Sequence, residues 1–355
     1  MSNDIYERLR EFLDTLPTGF PATPTGVEIR ILKKLFTPEE AELTMKLKNE
    51  PEEVSLIAAR IGMEKSELTA KLEEMVMKGL IFRVRDGGRR LYQSYQFMVG
   101  IYEFQLKNLD KEFCTLFEEY LPYLGISLAS VKTKQLRVIP VESAVNTLNC
   151  VAPYNQIKEL VRQQELIGVG ECICRKGQKL LGNECDRPKE TCLAFGDFAR
   201  FYIDNQWARQ ITVEETMNIL DLAEESGLVL SPTNTQKLEA ICCCCPCCCP
   251  ILKTVKLVNK SKYVTVSYYH AKIDSDLCLS CGLCVDRCQV VAIKDQDGCF
   301  EVLNEKCIGC GLCVSTCPEQ AISLVEKPKM EPPPMDFRAT LRKIETERLA
   351  IQHKS

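Results

Sequence analysis

The chain has 355 residues, enough for two or three domains, each with its own core. Its 45 Lys+Arg against 49 Asp+Glu leave a formal charge of only −4, which excludes a global field for gripping nucleic acid or an anionic membrane. Twenty-two cysteines against two histidines, with no CxxCH, point away from c-type haem and from a histidine-built metal site.

The opening MSNDIYERLREF lacks the apolar stretch of a signal peptide, and no apolar run reaches membrane-spanning length, so the expectation is a cytoplasmic protein without membrane insertion. In a reducing compartment, grouped cysteines are more often metal or cluster ligands than disulfides.

Thr37-Pro38-Glu39-Glu40 reads as a capping box with Pro at the first helical position, with Leu43 and Leu47 on one face of the helix it opens. Residues 52–62 and 65–80 read as two more helices, with Leu68, Leu72, Met75 and Val76 on one face. The strand-like runs IFRVR and RLYQSYQF then flank Asp86-Gly87-Gly88, a turn suited to positive φ. The pattern predicts a winged helix. Residues 64–80 carry four Glu against three Lys, a poor face for phosphates, whereas Arg83, Arg85, Arg89 and Arg90 on the wing keep DNA binding open. A docking or dimerisation module is the preferred expectation.

In the middle of the chain, helices are expected near Tyr154 to Gln164 and from the capping box Thr212-Val213-Glu214-Glu215 to Gly227. Around them lie Cys172, Cys174, Cys185 and Cys192, and then the run Cys242 to Cys249, interrupted by Pro246. Such a density of free thiols is an oxidation liability, which argues for ligand duty. Cys172, Cys174, Cys185, Cys192, Cys242, Cys244, Cys245, Cys247, Cys248 and Cys249 are the candidate ligands of one or two further Fe–S centres; zinc, or thiols with no metal, is the alternative. Arg175 and Lys176 stand where they can offset cluster charge, although such residues usually face solvent. The isolated Cys114, Cys150 and Cys299 are expected as small buried hydrophobes.

YVTVSYY at 263–269 reads as a strand leading into a duplicated motif. Cys278, Cys281, Cys284 and Cys288 form C-x2-C-x2-C-x3-C, and Cys307, Cys310, Cys313 and Cys317 repeat it. Three thiolates so spaced can wrap one cube, with Gly282 and Gly311 allowing close backbone approach; the fourth cysteine of such a motif ligates the other cluster. Paired zinc sites rarely use this spacing. Acidic residues outnumber basic ones eight to four over 271–325, a face suited to a basic redox partner. A proline-rich linker, PKMEPPP, then leads to a helix bearing Phe337, Leu341 and Ile344, expected to pack on its own chain or on a partner.

CLSCGLCVDRC and CIGCGLCVSTCP resemble the bacterial two-[4Fe-4S] ferredoxin family. The resemblance implies one cluster on Cys278, Cys281, Cys284 and Cys317 and a second on Cys307, Cys310, Cys313 and Cys288. Gln289 stands where the family places proline after the last cysteine of the first motif. Read whole, the chain resembles the winged-helix-fused 4Fe-4S ferredoxin proteins of anaerobic bacteria and archaea, on LFTPEEAEL, the helix-turn-helix, CICR…GNECDRP…ETCLAFG, the polycysteine run and CIGCGLCVSTCP; Pro246 and Pro250 depart from that pattern.

The expectation is an α+β multi-domain protein. It comprises a winged helix over 1–105, a Cys-rich, mainly helical middle over 106–260, a two-cluster ferredoxin domain over 261–327, and a linker and tail over 328–355. The expected role is electron transfer, alone or as a redox-complex subunit, toward a partner oxidoreductase, with an oligomer through the winged helix as an option. No Rossmann fingerprint, P-loop or nucleophilic triad argues for catalysis by this chain alone. The rival reading is a redox-responsive DNA-binding regulator.

Overall fold

The computed structural model describes residues 4–145, 151–257, 261–296, 298–328 and 330–352. Its first helix, Ile5–Thr15 (α1), starts where the Asp4 carboxylate accepts the Tyr6 N–H. Val27–Leu35 (α2) and Pro38–Met45 (α3) follow; Thr37 and Glu40 make the reciprocal capping box in full. Glu52–Glu53 (β1) runs into Val54–Ile61 (α4), which ends at Gly62, and Lys65–Met77 (α5) is capped by Glu64. Leu68, Leu72, Met75 and Val76 form the buried stripe of α5. Phe82–Asp86 (β2) and Arg89–Gln93 (β3) form a hairpin whose two turn residues, Gly87 and Gly88, both have positive φ as a type I′ turn requires, and β1 adds to β3.

Tyr102–Phe104 (α6) and Lys111–Ser130 (α7) complete this part, with α7 packed on α2. The core beneath is aromatic: Tyr102 stacks on Phe117 at 3.7 Å between ring centres, and Phe20 lies against Phe97 and Tyr120. It takes in Leu106 through Leu124, so the stretch after residue 105 buries its apolar face with the N-terminal helices.

The next stretch is organised by a sheet. Arg137–Val138 (β4), Glu142–Val145 (α8) and Ile157–Arg162 (α9) lead to five antiparallel strands in the order 7-5-6-9-8: Ile167–Glu171 (β5), Glu190–Phe195 (β6), Ala208–Ile211 (β7), Val229–Pro232 (β8) and Ala240–Cys244 (β9). Ile173–Leu180 (α10), Gly196–Asp204 (α11), Val213–Glu225 (α12) and Pro250–Leu257 (α13) sit between and after them. Helices hold most of the regular structure of the middle, as expected, and the five-stranded sheet is added to that expectation. Gly168 and Gly170 in β5, and cysteines in β6 and β9, hide the strands from a propensity reading, while cross-strand pairing builds them anyway. Pro250 opens α13 at a position where a missing N–H costs nothing.

The 263–269 stretch divides between Val266–Ser267 (β10), parallel to β4, and Tyr269–Ile273 (β11), antiparallel to Ile322–Glu326 (β14). Leu283–Arg287 (α14) and the hairpin Ile293–Gln296 (β12) with Cys299–Val302 (β13) fill the span between. Finally Phe337–Gln352 (α15) returns across the molecule. Its Thr340 hydroxyl donates to Asn234 O at 3.0 Å, Glu347 accepts from Thr133, and Arg348 donates to Asp14.

The two cores meet at a charged seam. Phe201, Tyr202 and Trp207 from the sheet unit join the aromatic core, and Asp204 at the end of α11 accepts from Arg83 at 3.2 Å and Arg85 at 2.7 Å. Arg83 and Arg90 also pair with Glu73, and Arg89 with Glu53 and Asp86. All four hairpin arginines are therefore neutralised within the chain. Among the described residues no helix is long and apolar enough to cross a membrane.

Candidate metal centres

Three thiol constellations emerge from these elements. Two lie at the C-terminal end, in cavities of nearly equal empty volume, about 360 and 350 Å³. The first is lined by Cys278, Cys281, Cys284 and Cys317, with Ile273, Gly282 and Phe300. The second is lined by Cys288, Cys307, Cys310 and Cys313, with Ala271, Ala292 and Leu312. Each draws three cysteines from one motif and one from the other.

The cavities differ in exposure. Cys281 of the first is exposed, and Leu277, Leu279 and Leu283 stand open around it, Leu279 at 71 %. Cys307 and Cys313 of the second are buried. Backbone N–H groups of Ala271 and Ala292 donate to Cys307 Sγ and Cys288 Sγ at 3.4 and 3.2 Å, the kind of contact that stabilises a thiolate. Gly309, at φ +61°, lets its loop lie so close to Tyr269 that a Cβ would meet the Tyr269 carbonyl at 2.3 Å. Burial pushes the Cys310 thiol up to about 12 and raises those of Cys307, Cys313 and Cys284. Such thiols stay protonated until a cation takes the proton's place, so the cavity chemistry is that of a metal-cluster cradle.

Gln289, at the place of the family's proline, is buried, and its amide donates to Arg287 O at 2.9 Å. Arg287 in turn donates to the carbonyls of Glu224 and Glu225 at the end of α12. The departure thus sits where the C-terminal unit docks on the sheet unit.

The middle cysteines divide into two sets rather than one. Strand alternation puts Cys242 and Cys244 on one face of β9, with Cys192 of β6 opposite Cys242, while Cys243 turns into the second core. On the Cys242 face, Cys172, Cys174, Cys242, Cys244 and Cys249 lie close enough to perturb one another electrostatically. Tyr102 and Tyr202 of the aromatic core lie within electrostatic range of these thiols. Burial pushes Cys192 and Cys243 up to about 12.

The second set is Cys185, Cys245, Cys247 and Cys248, whose sulfurs all lie within 4.8 Å of one another. Between the sets stands Arg175. The expectation of a solvent-facing arginine is corrected: it is 4 % exposed, donating to Thr191 Oγ1 and Cys243 O at 2.7 Å each. The neighbouring Cys174, and after it this guanidinium, hold the Cys172 thiol below its usual range; Cys248 and then Arg175 do the same for Cys245. Lys176 points elsewhere, donating to Leu106 O. Cys114 packs in the aromatic core, Cys150 lies outside the described residues, and Cys299 stands in β13. The place of Arg175 one residue after the C-x-C singled it out as able to offset thiol charge; its burial was the part that the sequence did not signal.

Two descriptions of a 4Fe-4S dicluster domain match the chain, one over residues 271–324 and one over 306–347. The matches overlap, and the second spans only the second cysteine motif, so together they mark one two-cluster unit. No curated protein matches the chain. The C-terminal unit is ferredoxin-like, and the protein carries two [4Fe-4S] clusters.

Proposed function

We propose that this protein is an electron-transfer protein or redox-complex subunit whose two C-terminal clusters are held with crossed ligands. One set is Cys278, Cys281, Cys284 and Cys317; the other is Cys307, Cys310, Cys313 and Cys288. The observation that carries the reading is the pair of equal cavities, each lined by four cysteines in a three-plus-one division. Bound there, the clusters supply one-electron chemistry at low potential. The chain's own contribution is to set exposure and hydrogen bonding. The cavity at Cys281, with its rim of Leu277, Leu279 and Leu283, is the one a partner protein reaches, and the N–H donors of Ala271 and Ala292 stabilise thiolate charge in the inner one.

The set Cys172, Cys174, Cys242, Cys244 and Cys249, of which Cys244 and Cys249 are buried and the rest partly so, is proposed with the neighbouring Cys192 to hold a further Fe–S centre. Five thiols exceed what a single tetrahedral ion takes, and the Arg175 charge beside Cys172 offsets a polythiolate. The N-terminal unit is proposed to be a winged helix used for internal docking, supported by the α4–α5 pair, the β2–β3 hairpin and arginines all committed to carboxylates. Those pairings count against the regulator reading, since phosphate contacts need free cations.

Anaerobic purification of the full chain, followed by iron and sulfide analysis and EPR, tests the proposal. At least about 8 iron atoms per chain are expected, with reducible signals. An iron-free, colourless preparation would end it.

A further inference from the structure

We infer that Cys185, Cys245, Cys247 and Cys248 bind a single thiophilic divalent ion, zinc or ferrous iron, in a mononuclear tetrathiolate centre separate from the iron–sulfur clusters. The sulfur–sulfur distances carry this assignment. Cys185 Sγ lies 3.9 Å from Cys245 Sγ and 3.4 Å from Cys247 Sγ, and Cys247 Sγ lies 3.7 Å from Cys248 Sγ. A tetrahedron with metal–sulfur bonds of about 2.3 Å has edges of about 3.8 Å. In a cube each thiolate caps a different iron atom, so the four sulfurs must stand much farther apart. No three of the eight C-terminal thiols draw within 4.8 Å of one another, and no three of the other middle set do either, among the described residues. One molecule thus holds thiols at two spacings. Among the described residues, this set alone has the spacing of a single ion.

Local structure explains how the four converge. β9 ends at Cys244, and Pro246 forces the chain into a turn before α13, which aims Cys245, Cys247 and Cys248 at one point. Cys185 arrives from the loop between α10 and β6, a stretch without regular structure. A divalent ion with four thiolates leaves two negative charges, and the buried Arg175, which donates to the Cys243 carbonyl two residues before Cys245, stands near to offset them. Cys247 is exposed, which gives the ion a path in from solvent. The centre therefore pins the Cys185 loop to the turn that follows β9.

The test uses the full chain, purified without oxygen, with zinc, iron and acid-labile sulfide measured together on wild type, C185S and C247S. One metal ion per chain without matching sulfide is expected, and either variant should lose that ion while sulfide and cluster EPR stay at wild-type levels. Whether zinc or iron disappears identifies the metal. Cobalt added to zinc-stripped wild type should give the intense visible bands of tetrahedral thiolate cobalt, a readout that needs no variant. Loss of iron and sulfide together in the variants, with no cobalt bands in the wild type, would overturn the inference and assign these thiols to a cluster. A protein that binds the cobalt but lacks iron would sink the electron-transfer reading and leave this one standing.

Discussion

The C-terminal unit and the sheet unit solve the same problem, holding many thiols close without repulsion, in opposite ways. In the C-terminal unit the thiols stand apart around two cavities, and backbone N–H groups of Ala271 in β11 and of Ala292 point at sulfurs of the inner one. In the sheet unit they crowd, and a whole charge, Arg175, is buried among them. The difference teaches that dipoles suffice where a cluster spreads the charge, whereas crowded thiols at the end of a strand take a buried cation. Removing the compensation should therefore cost little in one unit and much in the other.

Stripping the iron is the largest perturbation. The second core includes Cys284, Cys307 and Cys313 themselves, so without the metal its C-terminal part must pack around uncompensated cluster cavities. Hydrogen exchange should show β11 and β14 losing all protection in iron-free protein while α2 and α7 keep theirs. Protection that survives in β11 would mean that the fold does not depend on its clusters. The crossed arrangement is probed next by C317S and C288S. Each should lower iron by up to about 4 atoms, the first altering the exposed site and the second the inner one. Identical EPR changes in the two variants would contradict the division.

Arg175→Met should cost about 3 kcal/mol in urea unfolding, because it leaves Cys243 O without its donor and thiol charge uncompensated. A change under 1 kcal/mol would remove the contrast between the units. At the seam, Asp204→Ala should cost about 2 kcal/mol by leaving the buried Arg83 with Glu73 as its one carboxylate, and it frees Arg85. If the regulator reading held, the same variant would gain salt-dependent affinity for duplex DNA; none is expected. Thr37→Ala, which removes one cap far from every thiol, should cost about 1 kcal/mol and leave iron content unchanged.

How much of this was legible in advance follows from how local each feature is. The capping box at Thr37 and the stripe Leu68, Leu72, Met75 and Val76 lie within one helix each, and both are present as read. The C-terminal motifs are local too, since three of the cysteines at each cavity lie within seven residues. The division of the middle cysteines was not legible. It depends on the register that sets Cys192 opposite Cys242 and on a turn at Pro246, and neither is written in cysteine spacing. Arg175 deceived for a related reason: arginines are usually exposed, and only the sheet behind it makes this one an exception.

The returning helix α15 has a mechanical consequence. Arg348 fastens it to Asp14 beside the aromatic core, and Thr340 fastens it to Asn234 beside the sheet, so it acts as a strut across the seam. The two units cannot hinge apart unless one end of that strut lets go, and any torque that a bound partner applies to the sheet is passed straight to the N-terminal helices.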